Sequence, residues 1–135
     1  MQRADSRQSI ELDTGVRWER LTAAPDPDVD FLLVHYPVGS ATSAGGVLMR
    51  HAGREYGLVL SGRLEVTVAF DTYVLQAGDS ISFSSTTPHR LANVGRDPVT
   101  GVWVVIGRNG GDGRGETLGE QGDRAARRPS GASGR

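Results

Sequence analysis

Three histidines are present, and two of them stand in a pattern that suits metal chemistry. His51 is followed four residues later by Glu55 across Ala52-Gly53-Arg54, where the glycine lets the chain turn so that both side chains converge. His89 comes 34 residues after Glu55, directly behind Pro88 and four residues ahead of Asn93. Two imidazoles and one carboxylate on three corners of an ion form the facial arrangement suited to Fe(II), Mn(II) and related ions, with positions left for substrate, oxygen or water. The chain has no cysteine, which excludes thiolate-held zinc, iron–sulfur clusters and a thiol nucleophile. A metal here must sit on His, carboxylate or Met. A His with an acid four residues on also arises by chance, so spacing alone leaves open two unrelated structural or surface histidines.

The remaining polar and aromatic candidates are less specific. His35 shares a strand face with Phe31 and Leu33, and reads either as an inward extra ligand or as a hydrogen-bonded core or rim histidine. Tyr56, Phe83 and Trp103 are candidate pocket walls, although aromatics on strands are commonly plain core. Arg50 and Arg54 could draw an anion to a barrel mouth or serve as ordinary surface charges. No Gly-x-Ser-x-Gly elbow, Gly-x-x-x-x-Gly-Lys phosphate loop or dinucleotide fingerprint is present.

The elements that must position these groups are strands. From Ile10 to Ile106 the apolar residues recur with period two, as when one face of a strand is buried. Leu64, Val66, Val68 and Phe70 alternate with Glu65, Thr67 and Ala69. Further strands are expected at 16–21, 31–36, 47–50, 56–60, 72–75, 80–83, 90–94 and 99–106. Turns at Ser61-Gly62-Arg63, Gln76-Ala77-Gly78-Asp79 and Gly95-Arg96-Asp97-Pro98 separate them. Many short strands and no helical periodicity predict an all-β sandwich or barrel, whose interior holds one small ligand or ion.

The 135 residues suit one domain. Fifteen basic residues, all Arg, face sixteen acids for a net charge of -1, which argues against direct nucleic-acid or anionic-lipid binding. After Ile106 the composition turns to Gly and Arg, with Leu118 the single large aliphatic residue, so a disordered tail is expected over 109–135. The domain reading is an N-terminal extension over 1–9, a barrel over 10–108 and that tail. The first ten residues lack the apolar run of a signal peptide, and no apolar stretch reaches bilayer length, so a cytoplasmic protein away from the membrane is expected.

Gly46 to Gly62, Gly-Val-Leu-Met-Arg-His-Ala-Gly-Arg-Glu-Tyr-Gly-Leu-Val-Leu-Ser-Gly, resembles the first cupin motif, in which two His one residue apart precede a Glu and then a Gly six residues on. Gly78 to Asn93, with its Gly-Asp turn and Pro-His followed by Asn, resembles the second. The likeness runs from about Ile10 to Arg108 and is strongest to the C-terminal effector domain of XRE-type helix-turn-helix regulators that carry a cupin. It implies a double-stranded β-helix, a jelly-roll barrel with its site inside. Carried over by position, His51 matches the second His of the first motif, Glu55 its Glu and His89 the His of the second. Met49 stands where the first His of the motif would be, a soft thioether that binds hard divalent ions poorly. On a strand it shares a face with His51 and would line the pocket.

The resemblance implies a divalent metal, Fe, Mn, Zn or Ni, a small-molecule ligand and a homodimer. Two functions are consistent with it. One is a sensor-like binding module, metal-dependent or a metal-free barrel whose polar residues serve a ligand, that holds a metabolite; with only nine residues before Ile10, no DNA-binding segment is expected in front of the barrel. The other is a metal-dependent enzyme, an oxygenase, epoxidase or isomerase, since the same three-ligand pattern resembles the iron sites of some cupin oxygenases and of a phosphonate epoxidase. Fold alone does not choose between them.

Overall fold

The computed structural model describes residues 1–108. The expected tail over 109–135 lies outside the described residues. Nine strands run in chain order: β1 (Ser9–Glu11), β2 (Arg17–Arg20), β3 (Val29–Tyr36), β4 (Arg54–Ser61), β5 (Arg63–Val68), β6 (Asp71–Gln76), β7 (Ser80–Ser84), β8 (His89–Ala92) and β9 (Val99–Ile106). Two single 3-10 turns, Ala4–Ser6 and Ala44–Gly46, are the only helical segments among the described residues. No described helix is long and apolar enough to cross a membrane.

The strands form two sheets, one ordered β1-β2-β3-β9-β4-β7 and the other β6-β5-β8, with every pairing antiparallel. This is the expected all-β architecture. Its cause is legible in β4 and β9, where buried and more exposed residues alternate without a break over Arg54–Val59 and Val99–Ile106. Val34, Val59, Leu64, Val66, Leu91, Val99 and Val105 fill the space between the sheets. Each large aliphatic side chain so buried contributes on the order of 1.5–3 kcal/mol relative to leaving it in water.

Three expectations change in detail. Residues 47–50 do not form a strand: Gly45 and Gly46 both take positive φ, and the chain then touches β8 only through a bridge between Met49 and His89. Phe70 leaves the alternation of β5 because Ala69 takes a left-handed φ of 55°, turning the chain back into β6, and the Phe70 ring is fully exposed at the tip. The first strand begins at Ser9, which pairs with Glu19, one residue ahead of the expected barrel start.

The N-terminal arm is held by one acidic residue. Glu19 on β2 accepts hydrogen bonds from Arg7 at 3.1 Å and Arg17 at 2.5 Å, and His35 Nε2 on β3 lies 2.7 Å from it. Burial works against the charge of Glu19, but the bonds from Arg7, Arg17 and His35 outweigh it and hold its pKa down to about 2. His35 is thereby a partner of Glu19 on the face of β3 turned away from the cavity, and is not an extra ligand.

Candidate metal centre

His51, Glu55 and His89 meet between the sheets although they come from three different places in the chain. His51 lies in the segment before β4, tied down where its N–H donates to the Ser85 carbonyl and where Ser85 N–H donates to Gly53. Gly53 then turns the chain with φ 108°; a Cβ there would come within 2.5 Å of the Ile106 carbonyl oxygen, so glycine is required. Glu55 follows on the inward phase of β4, and His89 opens β8, where Met49 and His89 exchange two backbone hydrogen bonds of 2.8 Å.

All three side chains are buried, and each offers one donor atom within 4.8 Å of the others. His51 Nε2 lies 2.8 Å and His89 Nε2 3.0 Å from the same oxygen, Glu55 Oε2. Two ligands about 2.1 Å from an ion and at right angles to it stand about 3.0 Å apart, so these separations match adjacent corners of a coordination sphere. The other ring nitrogens are committed: His51 Nδ1 is 2.9 Å from the Ala52 carbonyl and His89 Nδ1 2.8 Å from the Thr87 carbonyl. A carbonyl only accepts, so Nδ1 carries hydrogen on both rings and each Nε2 is left to face the carboxylate. Lone pairs cannot hold that approach without positive charge between them, supplied by protons on the rings or by a cation.

The electrostatics agree. Burial penalises the Glu55 carboxylate, yet the His89 charge, hydrogen bonds with both imidazoles and the His51 charge hold its pKa well below the usual carboxylate range. For His89, burial and the charge of Arg108 oppose protonation, but Glu55 and the Thr87 carbonyl prevail and raise its pKa. The second oxygen, Glu55 Oε1, accepts a 3.0 Å hydrogen bond from Trp103 Nε1. That bond depends on Gly57, the cross-strand partner of Trp103, because a Cβ at Gly57 would overlap the indole ring.

The centre forms one wall of a cavity of about 630 Å³ whose lining includes Leu32, Val34, Tyr36, Met49, Leu91 and Trp103. Such a volume suits a small organic ligand. Among the residues expected to line a pocket, Met49 and Trp103 do so. Phe83 instead packs beside the centre, its ring 5.0 Å from that of His89, and is not part of the cavity wall. Tyr56 occupies the outward phase of β4, where it is exposed and meets Arg54 across 6.0 Å, so the expectation that it lines the pocket is corrected by the strand's own alternation. Arg50 and Arg54 also lie outside the lining. Asn93 serves the fold, donating to the carbonyls of Tyr36 and Asp97.

Sequence reading missed Tyr36, Trp18 as a cavity residue, and Arg108. Tyr36 was legible in the phase of Leu32, Val34 and Tyr36 along β3, opposite to that of His35. Its hydroxyl is kept protonated by burial and by the charge of Glu55, with Trp18 opposing.

The Cupin domain model matches residues 32–105. The chain belongs to the cupin family. Among curated proteins none matches it significantly. This cupin is similar in fold to an RmlC-like cupin of Shewanella frigidimarina, with 15% identity, a TM-score of 0.66 and coverage of 78% of this chain and 88% of the other. A protein described as a predicted oxalate decarboxylase of Thermotoga maritima is 22% identical with a TM-score of 0.64, over 78% of this chain and 97% of its own. A sugar phosphate isomerase of the cupin superfamily from Silicibacter pomeroyi is 18% identical with a TM-score of 0.65, over 78% and 74%.

Proposed function

We propose that this cupin holds a divalent metal on His51, Glu55 and His89 and binds a small metabolite in the adjoining cavity, as a sensor-like binding module. The observation that carries the reading is the commitment of both imidazole Nδ1 atoms to backbone carbonyls, which leaves two Nε2 atoms and a carboxylate oxygen converging in a buried pocket. The donor set suits Fe, Mn, Zn or Ni, and a thioether at Met49 would add nothing for a hard ion. A bound ion would supply Lewis acidity and open positions beside the cavity. The chain supplies the rest: fixed rings, an oriented carboxylate and a largely apolar wall for the body of a ligand.

Elemental analysis of the purified protein tests this. A stoichiometric divalent metal, lost in His51→Ala, is expected. Equal trace metal in both proteins would remove the metal from the reading.

A second reading is turnover at the same centre, favoured by the Tyr36 hydroxyl, which stays neutral on the cavity wall and can offer a hydrogen bond to a reacting group beside Glu55. It requires Fe(II)-loaded protein to consume oxygen or convert a candidate metabolite, and Glu55→Ala to abolish this with the fold intact. A binding module instead shows a ligand-dependent rise in melting temperature without turnover. We also propose a homodimer, supported by the exposed Tyr56, Leu58 and Leu60 on the outer face of β4.

A further inference from the structure

Four buried side-chain polar atoms have no hydrogen-bond partner among the described residues: Thr14 Oγ1, Trp18 Nε1, Ser85 Oγ and Arg108 Nη1. Thr14, Trp18 and Arg108 all line the cavity that holds the metal centre. Buried polar groups without partners are uncommon and costly, and three gathered on one cavity point to a ligand that completes them. Two of the three are N–H groups that only donate, so the ligand must bring acceptors. Trp18 Nε1 lies toward the Tyr36 hydroxyl but makes no properly formed bond with it.

Arg108 carries the most information. It is 8% exposed, and its Nε donates to Asp30 Oδ2 at 2.6 Å. That bond anchors the guanidinium at the end of the barrel, where the Gly107 N–H also donates to the Asp28 carbonyl. Its position is therefore fixed while Nη1 remains unspent. A guanidinium already oriented by one carboxylate loses little freedom on meeting a second, and its planar fork matches carboxylate geometry.

We propose that the cavity takes a small organic acid, whose carboxylate is held by Arg108 Nη1 and whose body packs on the apolar wall of Leu32, Leu91 and Val105. The proposal rests on the reading above that the cavity holds a small metabolite, and on Arg108 rather than on an ion. The described lining carries two carboxylates, Asp13 and Glu55, and one guanidinium, Arg108, itself paired with Asp30, which favours a singly charged acid over a dianion. A phosphate dianion would find no second guanidinium or ammonium on the described lining to balance its second charge.

Calorimetric titration with acetate, benzoate and succinate, each against its neutral amide, tests the assignment. It is run on the full chain in both Mn(II)-loaded and chelator-treated form. At least one acid is expected to bind about tenfold more tightly than its amide, and Arg108→Gln to remove that preference. Metal content in Arg108→Gln should equal that of the wild type, unlike in His51→Ala. Arg108→Lys, which keeps the charge but not the fork, is expected to retain part of the preference. The chelated wild type needs no variant to fold, and an acid preference in it is expected. If no acid outbinds its amide, or if Arg108→Gln keeps the preference, the inference is overturned and the metal reading stands. An Arg108-dependent preference in protein that holds no metal upholds the inference while the metal reading falls.

Discussion

At the scale of single residues, the centre is built as much by its supports as by its three donors. Trp103 fixes Glu55 Oε1, and the loss of such an outer hydrogen bond typically costs 10–100-fold in metal affinity. Trp103→Phe is therefore expected to weaken metal retention by about tenfold or more in a competition titration with a chelator, while the fold persists. Unchanged retention would show that the indole only fills space. The donors themselves were legible in the sequence because His51, Glu55 and His89 stand inside two spaced motifs. Trp103 was legible only as an aromatic on a strand, since its bond to Glu55 depends on a cross-strand register that no local pattern encodes. Arg108 was hidden for a different reason: it sits where the composition turns to Gly and Arg, and there a lone arginine resembles its neighbours.

Among the elements, the pair β4 and β9 sets the geometry of the site. Gly57→Ala would push a methyl group into the Trp103 indole, which leans across β4 to reach Glu55. Overpacking of this kind costs roughly 1–3 kcal/mol, to be read as a lowered urea midpoint with unchanged m-value. A midpoint equal to the wild type would mean that the indole moves freely, and metal retention should then fall instead. The β2–β3 edge carries a pH dependence. Glu19 has a folded pKa of about 2, below its unfolded value, so its stabilisation is present above about pH 4.5 and fades as pH falls toward 2. The contribution is about 2 kcal/mol once its partial exposure is allowed for. Glu19→Gln should lower stability at neutral pH and flatten the loss between pH 4.5 and 2, both measurable by denaturation across that range. Alternation predicted most strands, β4 and β9 above all, because each has one wet face. It failed at residues 47–50 and at Phe70, where positive φ at Gly45, Gly46 and Ala69 redirects the chain against the apolar pattern.

For the whole molecule, the jelly roll was readable from many short strands and turn signals, whereas the pairing of β3 with β9 across most of the chain was not. Period-two patterning says which face is buried but not which strand lies alongside. The apolar outer face of β4 belongs to this scale. Light scattering is expected to give twice the chain mass, and Leu58→Arg to return it to that of a monomer with little change in melting temperature. A wild-type mass equal to one chain would discard the dimer.

The chain contains two tryptophans, Trp18 and Trp103, and both stand on the wall of the same cavity. Indole emission from this protein therefore originates wholly at its site, with no distant fluorophore to dilute the signal. Entry of a quenching ion beside Glu55, or of an organic guest beside Trp18, should be visible by eye in an unlabelled titration curve, giving the protein a built-in optical gauge of its own occupancy.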